Sequence, residues 1–142
     1  MSDFSTSRFS LLVWKPEYES GHPVIDGQHR QLFSEVNTLL SAMLDNKPKN
    51  DIAHLIEDLL ESARRHFADE EAILDSTRYR DTAEHTLIHR QLLQKGKRLA
   101  DRFDENRLDF NEMFSYLAND IVLEHILKTD KQYFDLLELP DR

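Results

Sequence analysis

Apolar residues recur along most of the chain at alternating steps of four and three, the spacing of helices that pack into a bundle. The pattern divides into four segments, at about 26–45, 51–75, 81–103 and 109–137. We expect Asp26 to cap the first segment. The runs "DTAE" and "DFNE" have the spacing of capping boxes, with Asp81 and Asp109 at the starts of the third and fourth. The pattern therefore predicts an all-α fold, an antiparallel up-down-up-down four-helix bundle.

Residues 1–23 lack a helical period and contain two prolines, so we expect an extended N-terminal arm. Phe9, Leu11, Leu12 and Trp14 are predicted to pack this arm onto the bundle. The length of 142 residues suits one domain, 1–142, with the bundle at about 24–137.

Composition excludes several classes of protein. The net charge of −9 disfavours nucleic-acid binding, which usually requires a basic face. The absence of cysteine excludes disulfides and thiolate metal sites. The apolar run "LLVW" is too short for a signal peptide or a membrane span, so we expect a cytoplasmic protein.

The core stripes carry polar residues where leucines are expected. In the second segment the stripe Ile52, Ile56, Leu59 and Ala63 continues to His66, Glu70 and Ile73 at the same steps. Histidines occupy the stripes of the other segments as well: His29, His85, His89 and His125. Asp130 follows His125 by five residues, which is about 140° on a regular helix, so a local bulge is needed to bring it to the same face.

One buried histidine is usually a hydrogen-bonded core residue, and one HxxxH pair is a weak sign of metal. Five histidines and an acid on four stripes are better explained by a metal site, because cations bind neutral imidazole and carboxylate. The mixture favours a pair of first-row transition ions over zinc, magnesium or calcium, and ligand type alone allows iron or manganese. His22 and His54 lie off the pattern and are predicted to be structural or at the surface. Glu71 is predicted to be solvated or to lie just outside the ligands.

The chain resembles the hemerythrin family, and most of all its single-domain bacterial members. The matching runs are "IDGQH" at 25–29, "HFADEE" at 66–71, "HTLIH" at 85–89 and "HILKTD" at 125–130. Trp14 and Gly21 also fit the arm of the family. The resemblance implies a four-helix bundle with a non-haem di-iron centre that binds O2 reversibly.

Carried over by position, the resemblance assigns His85, His89 and His125 to one iron, and His29 and His66 to the other, which keeps an open coordination place. It implies that Glu70, Asp130 and an oxo or hydroxo group bridge the two irons. It also implies an apolar O2 pocket lined by Leu32, Phe67, Ile121 and Leu127. Many relatives carry tryptophan at the position of Ile121, so the size of the O2 pocket is expected to differ from that in those relatives.

Three functions compete. The resemblance favours O2 storage, delivery or protection by a protein that is not an enzyme. The alternative is an O2 or redox sensor module that uses the same di-iron site and acts on a signalling partner. A third reading, an enzyme that turns over nitric oxide or peroxide, ranks below these because we find no general acid or base in the pocket beyond the ligands.

Overall fold

A computed structural model describes residues 11–77 and 81–129 of the chain. A short 3-10 turn at Pro16–Tyr18 precedes four helices. They are α1 (Pro23–Leu44), α2 (Lys49–Thr77), α3 (Thr82–Asp104) and α4, which is α-helical over Phe110–Ser115 and continues as a π-helix over Tyr116–Thr129. Within those ranges, no helix is both long enough and apolar enough to cross a membrane.

The helices form the predicted antiparallel four-helix bundle. Helix α1 packs against α2 and α4, and α3 packs against the same two helices. Short connections join consecutive helices, so each runs opposite to the one before it. The fold prediction is confirmed, although the predicted end of the last helix near Leu137 lies outside the described residues.

The start of α1 differs from the expectation. The helix begins three residues before Asp26, with Pro23 at its first position and His22 as the cap, whose Nδ1 accepts a hydrogen bond from Val24 N at 3.2 Å. Proline suits this position because its ring presets the helical φ and its missing N–H would have no partner. Asp26 is therefore not the N-cap, and that prediction is wrong.

Asp26 instead lies buried in the first turn of α1 and holds the arm. Its two carboxylate oxygens accept hydrogen bonds from the backbone N–H groups of Ser20, at 2.8 Å, and Gly21, at 3.1 Å. Gly21 has a φ of 92°, a conformation that is strained for residues with a side chain. The carboxylate thus fixes the tight bend where the arm meets the bundle.

Farther up the arm, Leu12 exchanges two hydrogen bonds with the side-chain amide of Asn37, at 2.7 and 2.9 Å. Trp14 packs edge-on against Phe33 of α1. Packing of Leu12 and Trp14 is as predicted, but Leu11 is 55% exposed, so its predicted packing is wrong. Phe9 lies outside the described residues.

The two remaining capping predictions have different outcomes. Asp109 caps α4, because its side chain accepts a hydrogen bond from Glu112 N at 2.9 Å. Asp81 occupies the cap position of α3, but its side chain makes no capping hydrogen bond. The position predicted for Asp81 is confirmed, but the predicted capping hydrogen bond is not formed.

The core has two chemically different halves. The apolar half lies towards the α1–α2 and α3–α4 loops and is filled by residues such as Leu39, Ile56, Leu59, Met113 and Leu117. The polar half lies towards the other end of the bundle and contains the histidines of the core stripes and Glu70. On α2 the buried stripe ends in Leu74 rather than in the predicted Ile73, which is only partly buried.

The winding of α4 changes at Tyr116, where i→i+5 π-helical geometry replaces the α-helix. The buried residues of this stretch include Leu117, Ile121 and His125, which follow one another at steps of four. The π-helix continues to Thr129, and in this geometry residues five apart lie near one another on one face. The local departure that the spacing of His125 and Asp130 required is therefore present up to the residue before Asp130.

Candidate metal centre

Six side chains from the four helices converge in the polar half of the core. All are at least 97% buried, and each offers a ligand atom for a cation. They form two groups whose ligand atoms lie within 4.8 Å of one another: Glu70, His85, His89 and His125 in the first, and His29, His66 and Glu70 in the second. The structure therefore brings together six of the seven residues that the sequence analysis predicts as metal ligands.

Glu70 belongs to both groups, and its two oxygens divide between them. Oε1 lies 3.1 Å from Nε2 of His85 and 2.9 Å from Nε2 of His89. Oε2 lies 3.4 Å from Nε2 of His66, and that nitrogen in turn lies 3.2 Å from Nε2 of His29. A carboxylate with one oxygen towards each donor group has the arrangement of a bridge between two ions.

Contacts on the outer side of the rings fix where two of the imidazoles carry their hydrogen. The carboxylate of Glu71 can only accept, so His89 Nδ1, 2.7 Å away, is the donor. On the other side Gln28 donates from Nε2 to Asp69 at 2.7 Å, which turns its Oε1 towards His66 Nδ1 at 2.8 Å. His66 therefore also donates from Nδ1. In both rings the lone pair is left on Nε2, the atom that faces Glu70.

The Nδ1–H form of His89 shows whether a metal ion fits between this ring and Glu70. With its hydrogen on Nδ1, His89 presents a lone pair to a carboxylate oxygen 2.9 Å away, and Nε2 makes no hydrogen bond there. Two electron-rich atoms at this distance repel each other unless positive charge lies between them. A cation bound by both atoms removes the repulsion, so the donor set fits a metal.

Protonation of the buried groups agrees with this arrangement. Burial, and then the charge of His66, lowers the pKa of His29 to about 3. Burial, and then the charge of His89, lowers the pKa of His125 to about 3. His29 and His125 are therefore neutral, and neutral imidazole is the form that binds cations.

The family model described as "Hemerythrin HHE cation binding domain" matches residues 20–137. The chain belongs to the hemerythrin family. It is 32% identical over 134 residues to a bacteriohemerythrin of Clostridium acetobutylicum, covering 88% of this chain and all of that protein. It is 26% identical to myohemerythrin-1 of Phascolopsis gouldii, over 85% of this chain and 90% of that one. A wild-type hemerythrin crystal structure superposes with a TM-score of 0.80 at 25% identity, covering 92% of this chain and all of that chain.

Three of the four positions that the hemerythrin resemblance marks for the O2 pocket are buried in one apolar cluster: Leu32, Phe67 and Ile121. Phe67 is stacked on the ring of His89, with centroids 4.0 Å apart and planes 6° from parallel. The ring of Phe67 also meets the ring of His125 edge-on, with centroids 5.3 Å apart. The side chain of Leu127 and all of Asp130 lie outside the described part of the chain.

The outer contact of His66 brings Gln28 to the hemerythrin centre, and Gln28 in turn brings Asp69. Sequence reasoning missed both residues. Both stand next to predicted ligands, but a side chain that contacts a ligand's far nitrogen leaves no periodic signal. Glu71 lies just outside the ligands, one of the two roles predicted for it. His22 caps α1 as a structural residue, and His54 is at the surface with 77% of its side chain exposed.

Proposed function

We propose that this chain binds O2 reversibly at a non-haem di-iron centre in the polar half of the bundle. The observation that carries the proposal is the pair of donor groups that share Glu70, in a chain that belongs to the hemerythrin family. Two ferrous ions held there would supply the electrons for reversible O2 binding at a coordination place left open. Mixed nitrogen and oxygen donors suit first-row transition ions of this kind.

The proposed ligand set contains seven residues: His29, His66, Glu70, His85, His89, His125 and Asp130. The first six are supported by their convergence. Asp130 is supported by the family motif "HILKTD" and by the π-helical winding that runs to Thr129, because residue 130 then follows His125 at the i, i+5 spacing of that helix. Glu70 and Asp130 are proposed to bridge the ions together with an oxo or hydroxo group.

The proposed pocket is apolar so that it excludes water and anions. Leu32, Phe67 and Ile121 support this role because each is at least 99% buried and none has a polar atom in its side chain. Leu127 completes the proposal by family position. We propose binding without turnover, since these side chains offer no group that could transfer a proton to a bound molecule.

The experiment is to load the protein with ferrous iron in the absence of air and count iron per chain. Visible absorption is then recorded while O2 is admitted and withdrawn. We expect two irons and a coloured adduct that disappears on deoxygenation. Fewer than two irons would overturn the di-iron centre, and two irons that convert at once to a stable ferric form would overturn reversible binding.

Storage, delivery or protection is proposed as the role, with O2 or redox sensing as the alternative. A partner protein that binds one oxidation state and not the other would favour sensing. Measurable steady-state consumption of peroxide or nitric oxide by the iron-loaded protein would contradict binding without turnover. One domain over residues 1–142 and a cytoplasmic location stay predictions from the sequence.

A further inference from the structure

One imidazole of each donor group has a described contact on its outer side, and the two contacts differ in charge. His89 of the first group donates from Nδ1 directly to the carboxylate of Glu71, at 2.7 Å. His66 of the second group donates to the neutral amide oxygen of Gln28, at 2.8 Å. His66 is linked to a carboxylate only through a second hydrogen bond, which the Gln28 amide donates to Asp69 at 2.7 Å.

Both outer carboxylates come from the residues that flank Glu70 on α2. Consecutive helical residues point about 100° apart, so positions 69 and 71 project to opposite sides of position 70. Helix α2 packs against α1 on one side and α3 on the other. Asp69 therefore reaches Gln28 on α1, and Glu71 reaches His89 on α3. The run "DEE" thus supplies the shared ligand and one outer contact for each donor group.

We propose that Glu71 and the Gln28–Asp69 pair are positioning residues that set unequal reduction potentials at the two iron positions. This inference rests on the proposed function. A carboxylate that accepts the Nδ1 hydrogen raises the basicity of the imidazole, and the more basic ligand stabilises ferric over ferrous iron. A neutral amide does so less, because it carries no full negative charge.

The His89 position is therefore the more easily oxidised of the two, and the His66 position holds ferrous iron more readily. By family resemblance the His66 position is also the one with the open coordination place. A ferrous iron at that place is what O2 binding needs. The outer contacts thus protect the binding position from oxidation while they keep its partner ready to give an electron.

The first test replaces the charged contact by a neutral one in Glu71→Gln. The amide oxygen still accepts from His89 Nδ1, but the negative charge is gone. We expect the midpoint potential of one iron to rise by a tenfold change in its redox equilibrium, about 59 mV for one electron. The readout is a redox titration of the iron-loaded protein followed by its ferric absorption.

The second test moves the charge inward on the other side with the double substitution Gln28→Glu and Asp69→Asn. Net charge is unchanged, and the amide at position 69 can donate to the carboxylate at position 28. His66 then donates directly to a carboxylate, as His89 does. We expect the potential of the other iron to fall by a similar factor. A merely structural role for these residues would not shift the two variants in opposite directions.

Glu57→Gln is the matched control, because Glu57 is an exposed carboxylate on the same helix whose near contact is His54, 3.9 Å away at the surface. Opposite shifts in the two test variants, with none in Glu57→Gln, support the inference. If both test variants bind two irons and O2 reversibly but have the same reduction potentials as Glu57→Gln, the inference is overturned. The proposed function then still stands. Wild-type protein that takes up fewer than two irons overturns both. If Glu71→Gln loses iron, the double variant decides, since it removes no charge.

Discussion

The apolar and polar halves of the bundle are built on the same four helices and the same helical period, yet they differ in what holds them together. In the apolar half each buried leucine or isoleucine contributes about 1.5–3 kcal/mol by leaving water. In the polar half the buried carboxylate of Glu70 costs several kcal/mol unless it is compensated. The comparison indicates that the apolar half stabilises the bundle, and that the polar half depends on a bound cation.

The largest effect on this contrast is expected from Glu70→Ala. The variant removes the carboxylate that both donor groups share, so we expect at least one iron to be lost. At free iron a thousandfold above its Kd, the lost metal linkage amounts to about 4 kcal/mol of unfolding free energy. Iron analysis and thermal unfolding with and without iron measure both effects.

The control for that substitution is His54→Ala, because His54 is a surface histidine outside both groups. It should retain two irons and the full stabilisation by iron. Loss of iron from His54→Ala would mean that the ligands are misassigned, as would two irons and normal O2 binding in Glu70→Ala.

An effect on stability of similar size, but without loss of iron, is expected from Leu59→Ala in the apolar half. Leu59 is fully buried, so truncation leaves a cavity and lowers the unfolding free energy by about 2–5 kcal/mol. Urea unfolding should show the same loss with and without iron, and the iron count should stay at two. Leu44→Ala, at a leucine that is 45% exposed, should change stability by less than about 0.5 kcal/mol. Iron loss in Leu59→Ala would show that the two halves are coupled.

Smaller effects than at Leu59 are expected at two helical glycines. A Cβ on Gly96 would lie 2.8 Å from Oη of Tyr116 and 2.9 Å from Cδ2 of Leu60. The Tyr116 hydroxyl donates to Leu92 O, so it has little room to move. Gly96→Ala should therefore cost about 1–3 kcal/mol in urea unfolding.

Gly27→Ala is its counterpart in the polar half. A Cβ there meets no atom within 4 Å, and the position lies inside α1. Removing a helical glycine should raise stability by about 0.5–1 kcal/mol, with the iron count unchanged. A gain in stability for Gly96→Ala would show that the contact between α3 and α4 is looser than the structure has it.

The features that the sequence predicted are those that follow the helical spacing of apolar residues or interrupt it. His66 and Glu70 stand out because they replace apolar residues at regular steps, and the same holds for the other core histidines. The arm anchor at Asp26 was mistaken for a helix cap because an aspartate near a helix start has the same local signature in both roles. The two roles of Asp26 are distinguished only by the position of His22, which caps the helix, and by the fold of the arm.

Other features depend on contacts between helices that a single helical pattern does not contain. The bonds from Gln28 to His66 and Asp69 join α1 to α2. The end of the α2 stripe at Leu74 instead of Ile73 depends on how the neighbouring helices close around it. The π-helix of α4 was detectable in part, since His125 and Asp130 are five residues apart, but its start at Tyr116 was not.

The chain has a single tryptophan, and the fold places it in the arm. Trp14 stacks edge-on against Tyr18 and Phe33, lies under the guanidinium of Arg30, and donates from Nε1 to Glu19. Intrinsic fluorescence therefore reports the docking of the arm on α1, whereas far-ultraviolet circular dichroism reports the helices. Melting curves recorded by the two signals should separate wherever the arm detaches before the bundle unfolds, so a fluorescence midpoint by itself measures the arm.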